Sequence, residues 1–85
     1  MQSSIGPEDS SSRDAVTFEI LEHLGVLRAS AAGWTRELNI VSWCSRPAKY
    51  DIREWSPDHA KMGKGITLSD EEVAILKKAL DSRNL

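Results

Sequence analysis

Lys49-Tyr50-Asp51-Ile52-Arg53-Glu54-Trp55 alternates: Lys49, Asp51, Arg53 and Trp55 share one side, and Tyr50, Ile52 and Glu54 the other. A period of two predicts a half-buried β-strand. With Tyr50 and Ile52 facing a helix, the other side, carrying two cations and an indole, faces outward. A flat aromatic beside cations is a surface on which bases stack and phosphates are neutralised. The chain runs on through Ser56-Pro57-Asp58-His59 to Met62-Gly63-Lys64-Gly65-Ile66. That reads as a loop as far as Gly65, followed by a brief strand at Ile66-Thr67-Leu68.

Upstream, Trp34 to Cys44 predicts a second strand, with Trp34, Arg36, Leu38, Ile40 and Ser42 on one side and Thr35, Glu37, Asn39, Val41 and Trp43 on the other. Ser45-Arg46-Pro47-Ala48 turns the chain, so the two strands form an antiparallel hairpin. Between Val16 and Leu27 a strand competes with a helix. Val16, Phe18, Ile20, Leu24 and Val26 share one parity, yet Phe18, Leu21, Glu22 and Gly25 also fit helical spacing. The β-branched and aromatic start favours a strand, and Gly25 marks a bulge or bend within it. Ala29 to Gly33 is a turn. Downstream, Ser69 followed by Glu72 forms a capping box, with Asp70, Glu71 and Glu72 where the helix dipole favours acids. Val73, Leu76 and Leu80 then make an apolar stripe widened by Ile75 and Ala79. The order is β-β-β-β-α, an α+β fold in which a four-stranded antiparallel sheet precedes one C-terminal helix.

A chain of 85 residues makes one small domain with a thin margin of stability, and oligomerisation is a natural way to bury more surface. One cysteine, Cys44, excludes an internal disulfide framework. No apolar run is long enough to span a membrane, and no secretory signal opens the chain, so a cytoplasmic, nucleoid-associated protein is expected. Residues 1–14 hold five serines and a net charge of −2, the composition of a disordered arm; residues 15–85 balance at ten cations and ten anions. A locally positive face is compatible with that balance.

Catalysis finds little support. His23 and His59 are far apart in sequence, Cys44 has no histidine nearby, and no spaced ligand cluster points to a metal. Neither a cofactor nor a small-molecule substrate is expected. Trp34 and Trp43 have a structural role open to them as core residues, as does Arg53 in a cross-strand ion pair with Glu37. Trp55 is set apart by its parity with Lys49, Asp51 and Arg53.

Asp51-Ile52-Arg53-Glu54-Trp55, the loop to Lys61-Met62-Gly63-Lys64-Gly65-Ile66-Thr67-Leu68, and the Ser69-Asp70-Glu71-Glu72 helix start together resemble the positive cofactor four family of transcriptional coactivators that bind single-stranded DNA. Gly33-Trp34, Glu37-Leu38-Asn39, Val41-Ser42-Trp43 and Trp55-Ser56-Pro57-Asp58-His59 are similar to its bacterial YdbC branch, so that the likeness covers about residues 17–82. It implies a protomer that dimerises through its helices and binds single strands across its β-ribbons with little sequence preference. Arg53, Trp55 and Lys64 match family contact positions, and Trp43 matches an aromatic near the hairpin. Parity and charge add Trp34, Arg36, Asn39, Lys49 and Lys61. The extra aromatic that eukaryotic relatives carry before the tryptophan is absent, and Ile40 stands where a cation would help.

The expected function is single-stranded DNA binding by a homodimer serving transcription, replication or repair, with RNA open to the same chemistry. Ile75, Leu76, Ala79 and Leu80 are the expected dimer contacts, Leu76 and Leu80 doubling as sheet contacts. Trp55→Ala is expected to weaken binding and leave the fold intact. The alternative is a protein-interaction module that docks a peptide or a polymerase subunit on the same tryptophan and cations.

Overall fold

A computed structural model describes residues 17–83; the arm expected over residues 1–14 lies outside them. Four strands, β1 (Phe18–Ala29), β2 (Thr35–Trp43), β3 (Lys49–Trp55) and β4 (Met62–Leu68), are followed by one helix, α1 (Asp70–Asp81). The strands lie in the order β1-β2-β3-β4 with every neighbour antiparallel. The four-strand-plus-helix architecture expected from the sequence is the one observed.

The helix starts as its sequence dictates. Ser69 Oγ accepts from the Glu72 N–H at 3.1 Å, and Glu72 Oε1 accepts from the Ser69 N–H at 2.8 Å. The hairpin between β2 and β3 is tighter than expected. Cys44 and Ser45 both take left-handed backbones (φ 51° and 63°), and the Arg46 N–H donates to the Trp43 carbonyl at 2.9 Å. Two successive positive φ values give a turn whose twist matches the flanking strands. Pro47 therefore lies beyond the turn. β4 starts four residues earlier than read, because Met62 pairs with Trp55 and Gly65 with Arg53, and the register shift between them carries Gly63 and Lys64 into the strand instead of leaving them in the loop.

The first strand explains its own ambiguity. Its pairing with β2 breaks between Ile20 and Glu22, His23 and Gly25, and Val26 and Arg28, which leaves Leu21, Leu24 and Leu27 as extra residues. One of these breaks adjoins Gly25, where a bulge or bend was expected. Three bulges at a spacing of three turn a period of two into a period of three, which resembles helical spacing. They also correct the parity: Ile20, His23 and Val26 share a face, and Leu24 does not share it. Each bulge bends and twists the strand further.

The sheet is strongly coiled as a result. Phe18 pairs with Trp43 at one end of β2, and Trp55 pairs with Thr35 at the other end. An extended strand from Thr35 to Trp43 would span roughly 26 Å, yet the Phe18 and Trp55 rings lie 5.0 Å apart. The sheet therefore curls into a trough, and the side chains at its two ends meet across it. The convex side carries Leu38, Ile52 and Tyr50, and α1 docks there, touching β3 and β4. Val73, Leu76 and Leu80 line an apolar cleft of about 300 Å³ with Leu38. No helix residue is fully buried, and Ile75 is 70% exposed.

β3 and β4 approach closely at Gly65. A Cβ there would lie 2.5 Å from the Ile52 carbonyl oxygen and 2.7 Å from Arg53 Cβ. Because one of those atoms is backbone, Gly65→Ala is expected to lower stability by about 1–3 kcal/mol, the usual cost of overpacking, in urea unfolding followed by circular dichroism.

Candidate nucleic-acid interface

The trough holds a polar interior. Asp51, from β3, is fully buried, and its carboxylate accepts from Arg53 Nε and Nη2, both at 3.2 Å, and from Thr67 Oγ1 at 2.9 Å. Arg53 Nη1 also donates to the Gly63 carbonyl at 3.3 Å. The guanidinium lies 5.1 Å from the centre of the Trp43 ring, a cation–π distance. Arg53 is thus held by β3, β4 and the end of β2 together. The cross-strand pair with Glu37 does not form: the two residues are opposite in register, but Arg53 turns to Asp51.

Glu37 anchors a second cluster, where it is 4% exposed. Its Oε2 accepts from Thr35 Oγ1 at 2.6 Å and from His59 Nε2 at 2.8 Å, and its Oε1 accepts from Asn39 Nδ2 at 3.1 Å. The carboxylate can only accept, so Asn39 must turn its amide nitrogen toward it and its oxygen toward His23. His23 Nδ1, 2.7 Å from that oxygen, then carries the proton. Burial pushes the Glu37 carboxyl up, but the bonds from Thr35, Asn39 and His59, with the charge of His59, outweigh it and hold the group below its usual value of 4.5. His23 and His59, remote in sequence, meet on this one carboxylate. A cleft of about 290 Å³ lies between them, lined also by Ile20 and Asn39.

The position of Trp55 corrects the sequence reading. Its parity is as read, on the side away from α1, but it is fully buried, not exposed. Phe18 packs against it at a tilt of 51°, and the His59 ring stacks on it at 27° with centroids 5.6 Å apart. Facing away from the helix does not make Trp55 outward, because the coiled sheet encloses that side too. Asn39 is likewise fully buried.

The nine expected contact residues do not share one face. Asn39, Trp43, Lys49, Arg53 and Trp55 belong to the trough side, whereas Arg36 and Lys64 lie on the convex side. Arg36 is bound there to Glu54 at 2.6 Å, as is Arg28 at 3.3 Å, and Arg36 and Lys64 border one cleft with Ile52 and Ile66. Lys61 and Trp34 line a further cleft with Ser56, Pro57 and Asp58. Among the nine, Arg36, Lys49, Lys61 and Lys64 are exposed, and Trp34, Trp43 and Arg53 are half-buried. His59, Glu37 and His23 were missed as a group. Only the register, which sets His23 opposite Asn39 and Glu37 two residues away, brings them together.

Residues 30–79 match the family described as Transcriptional Coactivator p15 (PC4). The chain belongs to this family. It is also 47% identical over 72 residues to an uncharacterized protein of Treponema pallidum (strain Nichols), a match covering 85% of each chain. A bacterial relative of nearly the same extent agrees with the bacterial branch expected for this p15 family member. Among the described residues no helix is long and apolar enough to cross a membrane.

Two measurements follow from the trough. Trp55→Ala empties a filled site, so it is expected to cost about 3–5 kcal/mol of stability in denaturant unfolding, in place of the intact fold expected from the sequence. Glu37 has a lowered folded value, so its stabilisation is complete above the unfolded value near 4.5 and is lost as pH falls through the lower folded value. Glu37→Gln should flatten that part of the acid limb in urea melts taken at successive pH values.

Proposed function

We propose that this protein binds single-stranded nucleic acid without strong sequence preference, as a homodimer, by phosphate contacts from its exposed cations and base stacking on its tryptophans. Membership of the p15 coactivator family is the observation that carries the reading. The surface is compatible with it: Lys49, Lys61, Lys64 and Arg36 are exposed, and Trp34 and Trp43 are half-buried beside cations. Lys49 and Trp43, with Arg53 beneath, form the hairpin end of the track. Lys61 and Trp34 form the other, and Arg36 and Lys64 extend the contacts onto the convex side. Asn39 acts through Glu37 and His23 and does not touch the strand itself.

Dimerisation uses the open side of α1. Ile75, Leu76 and Leu80 are 70%, 40% and 45% exposed, and Ala79 lies among them. This apolar surface is left uncovered by the thin docking of one helix on one sheet. Transcription, replication and repair all present single strands to such a protein in the cytoplasm or nucleoid. One observation favours the protein-docking reading instead: Leu21, Leu24 and Leu27 stand 53%, 42% and 57% exposed along the edge strand.

A fluorescent dT oligonucleotide titrated at rising salt separates the two readings. Affinity should fall steeply with salt, and Lys49→Ala or Lys64→Ala should each flatten the log–log slope by about 0.7, the share of one phosphate contact on a single strand. Absence of binding at low salt would favour protein docking. For the dimer, Leu80→Glu should shift sedimentation equilibrium toward the monomer.

A further inference from the structure

Trp55 is fully buried, so the fold leaves it no open surface. The group that covers it is informative. The His59 imidazole lies nearly parallel to the indole, 27° between planes and 5.6 Å between centroids, which is the arrangement an unpaired base adopts on a tryptophan. Phe18, by contrast, meets the same ring at 51°. His59 reaches its place from a left-handed backbone (φ 59°), an uncommon conformation for a residue other than glycine. Its side chain is 41% exposed, so it forms the outer layer of the stack. Beneath it, Trp55 Nε1 is buried with no hydrogen-bond partner, a donor the resting fold leaves unused.

We propose that His59 is an internal occupant of a base-stacking slot on Trp55, and that an unpaired nucleobase of a bound single strand displaces it. This rests on the single-strand-binding reading above. The surroundings allow the exchange. Ser56 and Lys61 are joined by the Ser56 N–H to the Lys61 carbonyl at 3.0 Å and by the Lys61 N–H to Ser56 Oγ at 3.0 Å, so the loop base stays closed while the imidazole turns away. Glu37 loses one bond but keeps those from Thr35 and Asn39, so its buried carboxylate is not stranded. Lys61, on the same loop, is exposed, so a phosphate of the entering strand can reach it.

The test uses the full chain and a dT oligonucleotide. His59→Gly removes the ring and relieves the left-handed backbone; His59→Asn removes the ring and also tolerates that backbone. Both should bind dT about five-fold more tightly, the change equivalent to one ordinary hydrogen bond no longer broken on binding. The Trp55 indole N–H should exchange faster with solvent in both. In the wild type, dT should shift the His59 ring signals in NMR spectra as the imidazole leaves the indole. Binding of dT by the wild type with unmoved His59 signals, or variants that bind no more tightly, would overturn the displacement and leave the single-strand reading standing. No dT binding by wild type or variants at low salt would overturn both.

Discussion

Two carboxylates in the hollow of a single curled sheet, Asp51 fully buried and Glu37 nearly so, set the terms for the rest of the molecule. A buried carboxylate left unpaired costs several kcal/mol, so each must be surrounded by donors. Asp51 takes them from β3 and β4 through Arg53 and Thr67. Glu37 takes them from β2 and the loop after β3 through Thr35, Asn39 and His59. Together the two clusters tie all of the strands but β1, which joins through His23 on Asn39. The trough is held by directional bonds where a larger domain would use an apolar core. Val41 and Trp55 are the only hydrophobic residues buried among the described residues.

The curl that hides these carboxylates comes from β1. Three bulges in twelve residues bend that strand until Phe18 closes over Trp55. The same bulges leave Leu21, Leu24 and Leu27 on the outside, unpaired in the register. A bulged edge is a poor template for adding another strand, which protects a small sheet from edge-to-edge association. The open apolar side of α1 is the complementary feature, a surface that one protomer does not cover by itself. A domain of this size buries too little apolar area alone to be robust, and the proposed homodimer would address that shortage.

Much of the fold was legible because its signals are local. The capping box at Ser69 and Glu72, the alternation of Lys49 to Trp55, and the break at Ser45 to Ala48 each operate over a few residues. Errors arose where distance in sequence was bridged by curvature. β1 looked partly helical because its bulges, set by the register with β2, replace a period of two with a period of three. The parity of Trp55 predicts an outward position because a flat sheet with one helix has one open side; a coiled sheet does not. His23, Glu37 and His59 carry no mutual spacing, since their meeting depends on strand order and on how far the sheet closes.

By itself, then, the amino-acid sequence determined the element order, the helix start, the parity of β2 and β3, and the likeness to the p15 coactivator family. These depend on local propensity, period and motif. Only the tertiary structure decided that the cation-and-tryptophan side is a hollow, that Arg53 answers to Asp51, that Trp55 lies beneath His59, and that the expected contact residues divide between two faces. Those outcomes follow from coiling, a property of the whole sheet, because accessibility depends on what curves over a side chain as well as on the side from which it leaves the strand.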